Sequence, residues 1–242
     1  MLEIKELTLR HGSRALIEGI NLSVATGEIF AIIGASGCGK STLLRHLMGL
    51  ELAPVGTITL NGCDINDPDE LKRECARKQF GVLFQNGALW TTMNILENVA
   101  LPLENSLDFT AEERRDIAAL KLSMVGLGGF ESFFPHELSG GMIKRAGIAR
   151  AMVRNPAILL FDEPSAGLDP TTSQKLDELI LRIRKNRGVT FILVTHELAS
   201  IFAIVDRAAF LDSDSRSVLD VGNPDELARK SPHIKVRRFF QR

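Results

Sequence analysis

The chain has 242 residues, 45% of them apolar and 24% charged, with a net charge of −1. That length and composition fit one large α/β domain, or one domain carrying an inserted subdomain, with a sizeable core. The balanced charge argues against a nucleic-acid binder, which would show a basic excess, and no stretch approaches the ~18 uncharged apolar residues that span a bilayer.

Residues 1–6 lack the basic-then-apolar order of a secretory leader, so the expected location is the cytoplasm, with any membrane role exercised through partners. Residues 2–10 alternate loosely, His11-Gly12-Ser13 turns and 20–24 returns, which predicts an antiparallel hairpin. After the Thr26-Gly27 turn, Ile29-Phe30-Ala31-Ile32-Ile33 is an unbroken apolar run, suited to a strand buried on both faces of a parallel sheet. Residues 80–84 are strand-like. Residues 94–101, 110–125 and 139–153 read as helices, punctuated by Pro102 and by the Gly-rich 126–129 segment. Two further apolar runs follow, 157–161 and 189–194. Between them Leu176, Leu179, Ile180 and Ile183 fall on one helical face. Strand–helix–strand alternation with buried strands predicts an α/β fold with parallel connections. The expected organisation is a single domain over 1–242. Residues 1–85 and 155–222 form an α/β core with an N-terminal antiparallel β subdomain, 86–154 an inserted helical subdomain, and 223–242 a tail of two short helices.

Gly34-Ala35-Ser36-Gly37-Cys38-Gly39-Lys40-Ser41-Thr42 matches G-x-x-x-x-G-K-[ST]. Its glycines let the backbone curl so that N–H groups approach phosphate oxygens, and the following helix start adds partial positive charge. Lys40 is placed to neutralise the β- and γ-phosphates, and Ser41 to offer its hydroxyl to Mg²⁺. Three cysteines, Cys38, Cys63 and Cys75, without a CxxC, indicate neither a disulfide framework nor a zinc site. Cys38 reads as a small filler within the loop, and alkylation of its thiol is expected to block nucleotide sterically. Asp162 and Glu163 close the second apolar run, where adjacent carboxylates are costly without a cation nearby. His196 follows the third run, at the same sheet end as the other loops. Gln85 stands between a strand and the helical insert. Ser139 is a good N-cap residue, and Gly140 and Gly141 behind it expose N–H groups to an anion.

The phosphate loop followed by Leu138-Ser139-Gly140-Gly141-Met142 resembles the ATPase subunits of ABC transporters over nearly the whole chain. The resemblance implies a P-loop NTPase fold with a mostly parallel core sheet, ATP and Mg²⁺ as cofactors, and roles for single residues. Asp162 matches the carboxylate that holds Mg²⁺ through water, Glu163 the one that polarises the attacking water, and His196 the contact to the γ-phosphate. Glu197 follows His196 where most relatives have Asp. Gln85 matches the glutamine that touches Mg²⁺ and joins core to insert. Ser139, Gly140 and Gly141 match a segment that closes over the γ-phosphate of a second subunit, and Ser165-Ala166-Gly167-Leu168-Asp169 a dimer contact. A head-to-tail homodimer with two shared ATP sites is implied. Relatives place an aromatic ring before the glycine of the first hairpin, where adenine stacks. This chain has no Tyr and puts His11 there, which leaves selection of ATP over GTP open.

A finer resemblance lies in the insert. Residues 83–94, the run Leu138-Ser139-Gly140-Gly141-Met142-Ile143-Lys144-Arg145 and the tail Val236-Arg237-Arg238-Phe239-Phe240 are similar to Mla/Mce-type ATPases. That family implies phospholipid or sterol movement between membranes, from the cytoplasmic side of the inner membrane, with permease and Mce-type lipid-binding subunits. An importer ATPase for amino acids or metal chelates shares every motif residue and is the alternative. A ribosome- or chromosome-associated ABC protein would carry a second cassette or a coiled coil, and a P-loop kinase or GTPase would lack the 138–142 segment. Leu89, Trp90 and Met93 read equally as a socket for a permease helix and as the insert's own core. The basic tail residues Arg229, Lys230, Lys235, Arg237, Arg238 and Arg242 read as a solvated face or a subunit contact, in preference to a headgroup site.

Overall fold

The computed structural model describes residues 2–12, 14–104 and 108–241, with His11 described through its backbone. The hairpin is longer than its sequence pattern indicates: β1 (Leu2–His11) pairs with β2 (Arg14–Val24). Then come β3 (Ile29–Gly34), α1 (Lys40–Leu47), β4 (Ile58–Leu60), β5 (Cys63–Asp64), α2 (Glu70–Arg77) and β6 (Phe80–Leu83). A helical stretch follows: α3 (Ile95–Ala100), α4 (Ala111–Met124) and α5 (Gly140–Met152), with single 3-10 turns at Leu101–Leu103 and Pro135–Glu137. The chain closes with β7 (Ile158–Asp162), α6 (Pro170–Arg187), β8 (Thr190–Val194), α7 (Leu198–Ile204), β9 (Arg207–Asp212), β10 (Ser217–Gly222), α8 (Pro224–Lys230) and α9 (Ile234–Phe239).

Helix starts follow the side chains that cap them. Asn94 and Thr110 each accept from the backbone three residues on, while Glu97 and Glu113 reach back, completing capping boxes. Asp169 caps α6 ahead of Pro170, and Gly188 ends it at φ 63°, in the left-handed region that favours glycine.

Two sheets result. The smaller is antiparallel, in the order β2-β1-β4-β5. The larger runs β10-β9-β3-β8-β7-β6, parallel throughout except for β10 against β9. Its inner strands feed two separate cores by alternation. Ile29, Ala31 and Ile33 of β3, with Leu159, Phe161, Phe191 and Leu193, join the core shared with the helical stretch, α6 and the C-terminal helices. Phe30 and Ile32, with Ile158, Leu160, Ile192 and Val194, join the core shared with α1 and the antiparallel sheet. This two-sided burial is why β3, β7 and β8 read as unbroken apolar runs.

Helix α5 seats directly on β6. A Cβ on Gly81 would lie 1.9 Å from the Ala151 carbonyl oxygen, so only glycine permits that approach. The tail is docked. Val236, Phe239 and Phe240 are buried, Phe239 lies edge-on to Phe210, and Phe202 packs against Phe240. Three of its cations are paired with carboxylates within the chain: Lys235 with Asp212 and Asp214, Arg229 with Asp225, Lys230 with Glu226. Arg242 lies outside the described residues.

Candidate nucleotide site

The loop from Gly34 to Gly39 links β3, at the centre of the larger sheet, to α1. Gly34, Gly37 and Gly39 have φ of 148°, 77° and 106°. Gly34 has a second constraint: a Cβ there would meet the Leu211 carbonyl oxygen at 2.4 Å and the Cys38 sulfur at 2.8 Å. Gly39 precedes α1 with no side-chain cap, and the first turn has no acidic residue, so the helix N-terminus suits an anion. Lys40 Nζ donates to the carbonyl oxygens of Gly34 (3.0 Å) and Ala35 (2.9 Å), arching over the loop. Ala35, Ser36, Gly37 and Ser41 are exposed, and Thr42 is half-buried.

Cys38 fills space beneath the loop. Its side chain is wholly buried in the core under the loop, and burial raises its thiol above the ordinary range. A protonated, covered thiol reacts slowly, so alkylation at Cys38 is expected to be slow in the folded protein.

The carboxylates converge on the loop from β7. Burial, then the neighbouring Glu163 charge, push the Asp162 carboxyl above its usual range, against the pull of Arg45, Lys40 and Lys144. Glu163 occupies a left-handed backbone position at φ 48°, a conformation that non-glycine residues hold only when their surroundings fix it. Here they do. Its N–H donates to the Val194 carbonyl (2.8 Å). Its carbonyl accepts from Ala166 N (3.2 Å) and Lys144 Nζ (3.2 Å). Its Oε1 lies 2.9 Å from His196 Nδ1, beyond the end of β8. The His196 ring is mostly exposed while the Glu163 side chain is mostly covered. The pair therefore presents a buried acceptor backed by an outward imidazole, a geometry able to orient a water and receive its proton.

Gln85 is exposed directly after β6, and its carbonyl accepts from Lys144 Nζ. Ser139 caps α5, its hydroxyl accepting from Met142 N (3.3 Å). Ser139 and Gly140 are exposed. Their neighbourhood within the chain is α6 and the segment before it: a Cβ on Gly140 would lie 3.7 Å from Leu168, and one on Gly141 2.6 Å from Thr172. The His11 side chain lies outside the described residues, and with it the stacking expectation.

Three residues that sequence reasoning missed organise the surroundings. Asn98 is fully buried; it accepts from Trp90 N (2.6 Å) and donates to the carbonyls of Trp90, Met93 and Asn94 (2.9–3.0 Å), folding the 90–94 loop around its amide. That loop splits the reading of its apolar residues: Leu89 packs on the core, while Trp90 is 59% exposed. Arg150 donates to the carbonyls of Gly87 (2.8 Å) and Ala88 (2.6 Å). Lys144, also on α5, is 5% exposed.

Comparison with known proteins agrees with this geometry. The family profile described as ABC transporter matches residues 17–166. The intermembrane phospholipid transport ATP-binding protein MlaF is 37% identical in Escherichia coli, over 99% of this chain and 88% of its own, and 35% identical in Haemophilus influenzae, over 100% and 90%. A probable ribonucleotide transport ATP-binding protein, mkl of Mycobacterium leprae, is 40% identical over 99% of this chain and 68% of its own. Methionine import ATP-binding protein MetN 2 of Listeria monocytogenes is 38% identical, over 99% and 69%. Among solved structures, the dimeric post-hydrolysis ATP-binding cassette MJ0796 bound to ADP and Pi superposes with a TM-score of 0.80 at 31% identity, covering 92% of this chain and 98% of its own. The cbiO1 protein of Clostridium perfringens gives 0.84 at 28%, covering 95% and 90%. The chain belongs to the ABC transporter family, as an ATP-binding domain that hydrolyses ATP.

Proposed function

We propose that this chain is the ATPase subunit of a transporter that moves phospholipid between membranes. It works as a homodimer at the cytoplasmic face of the inner membrane, beneath permease subunits and with an Mce-type lipid-binding subunit. The observation that carries the catalytic reading is the convergence of the phosphate loop, Asp162, Glu163 and His196 at the ends of neighbouring parallel strands. Among the described residues no helix is long and apolar enough to cross a membrane, which fits a peripheral subunit.

In this reading the loop N–H groups and Lys40 bind the triphosphate. The raised Asp162 carboxyl and the Ser41 hydroxyl fit a hard divalent cation, with Gln85 at its edge. Among the described residues no three His, Cys, Asp or Glu side chains converge to hold a metal, so Mg²⁺ here would rest mainly on phosphate and water oxygens. The ion would offset charge on the transferring phosphoryl group. Glu163 orients the attacking water and takes its proton, and His196 holds Glu163 in aim. Ser139, Gly140 and Gly141 of one copy face the γ-phosphate bound by the other.

The phospholipid assignment rests on the MlaF relatives, which this chain matches over 88–90% of their length. The mkl and MetN relatives favour a second reading, an importer of small polar solutes. One preparation tests both. Glu163→Gln should lower turnover about 10²–10⁴-fold while retaining ATP. The Glu163→Gln complex, extracted in detergent with Mg·ATP, should contain two copies of this chain, permease and Mce-type subunits, and phospholipid detectable by mass spectrometry. A solute-binding protein in place of the Mce subunit would favour the importer, and near-normal hydrolysis would remove Glu163 from its role.

A further inference from the structure

Lys144 is a lysine where an apolar residue belongs. Helix α5 buries Lys144, Gly147, Ile148 and Ala151, at i, i+3, i+4 and i+7, and Lys144 heads that stripe. Among the described residues its amine has no carboxylate within ion-pair distance. It donates instead to two backbone carbonyls, those of Gln85 and of Glu163 (3.2 Å). Burial lowers the affinity of this amine for its proton, and the charges of Glu163 and Asp162 restore part of it. A buried cation with so few partners is expensive, and a methionine would pack there without that cost. What the cation secures is a junction of three segments: α5, the stretch leaving β6, and the turn leaving β7.

The first two of these are already fastened together. Arg150 grips the Gly87 and Ala88 carbonyls. Gly87 and Gly147 approach so closely that a Cβ on Gly147 would lie 3.4 Å from Gly87 Cα, and one on Gly87 2.8 Å from an Ile143 methyl. Residues 85–88 and α5 therefore form one block. The third segment belongs to the central sheet, because the Glu163 N–H is held by β8. The peptide after Glu163 is the one whose carbonyl Lys144 holds, and it follows a left-handed residue whose carboxylate direction depends on that peptide's orientation.

We propose that Lys144 is a positioning residue for hydrolysis: it ties the backbone carbonyl of Glu163 to the α5 block, so that the aim of the Glu163 carboxylate follows the placement of that block on the sheet. This rests on the assignment of Glu163 given above. Lys144 touches no nucleotide group in this scheme, and its loss acts through Glu163.

The test is a double-mutant cycle on the full chain, with steady-state ATPase kinetics and equilibrium nucleotide binding measured in parallel. Lys144→Met should lower kcat at least tenfold with ATP affinity within twofold of the parent, and Lys144→Arg, which keeps a charged donor, should recover part of kcat. In a Glu163→Gln background, Lys144→Met should add no further loss, because the carboxylate it aims is already gone. An equal fractional loss in both backgrounds, or an unchanged kcat in Lys144→Met, would overturn the proposal. Parallel loss of ATP affinity and melting temperature with no recovery by Lys144→Arg would do the same, by marking Lys144 as structural. If Glu163→Gln alone hydrolyses ATP normally, the fault lies in the Glu163 assignment and not in the coupling. Should Lys144→Met fold poorly, Lys144→Gln, which keeps a donor on a shorter arm, carries the same comparison.

Discussion

At the residue scale, two cations occupy positions that helical periodicity gives to the core. Lys144 is one. Lys121 is the other: Ala118, Lys121, Leu122 and Val125 fall at i, i+3, i+4 and i+7, and all are buried. Lys121 Nζ donates to Asn155 Oδ1 at 2.6 Å, an oxygen that Arg187 also reaches at 3.1 Å. Burial, then the Arg187 charge, lower its pKa to about 8. Between that value and the ordinary 10.5 of a free lysine the unfolded chain binds more protons than the folded one. Stability from this group therefore rises with pH across that window, and its cost is fully present below pH 8. The stability of the parent relative to Lys121→Met should climb from pH 8 to pH 10, by at most about 1.4 kcal/mol per unit. Chemical denaturation of both proteins at several pH values measures it, and a constant difference would contradict the burial of a proton-shedding amine. Asn98 belongs with these residues, since it shares the buried face of α3 with Ile95 and Val99. In each case the sequence held a signal, a polar residue at a core-facing position, but its partners decide what it does there: distant ones for Lys144 and Lys121, and the loop four to eight residues before it for Asn98. Glu163 differs. Its place after an apolar strand is legible, while its left-handed backbone is imposed by the β8 carbonyl and by Lys144, and nothing local announces it.

At the element scale, legibility followed burial on two sides. Strands β3, β7 and β8 stand out because both faces are covered. Strands β4 and β5 are too short to show a period, and β10 is half-buried along its whole length at the sheet edge. Helix α2 buries only Ala76, so it has no apolar stripe, although its Asp69 cap was there to be read. The packing of α5 on β6 is a contact no pattern predicts, and it separates two glycines sharply. Gly81→Ala drives a Cβ into the Ala151 backbone oxygen, which cannot move without shifting α5. It should cost about 1–3 kcal/mol. Gly147→Ala meets a Leu83 methyl at 2.6 Å, the tip of a flexible side chain, and gains about 1 kcal/mol of helix propensity. It should be close to neutral. Thermal melts of the two variants rank them, and equal losses would contradict the contact.

At the scale of the whole molecule, the exposed start of α5 and the phosphate loop belong, on the proposed reading, to different active sites. Ser139→Arg should then abolish hydrolysis while a single copy binds ATP as before, with about 1 kcal/mol lost from the missing helix cap. Isothermal titration of the monomer and turnover of the assembled complex separate these effects, and residual hydrolysis near the parental rate would contradict a shared site. The central sheet carries a last implication. Ile32 and Ile33 are consecutive, yet Ile32 packs toward α1 and the antiparallel strands, and Ile33 toward the helical stretch and the tail. Neighbouring codons thus address opposite halves of the protein. An engineer can loosen the half behind the phosphate loop or the half that faces α5 by choosing the even or the odd position of one strand.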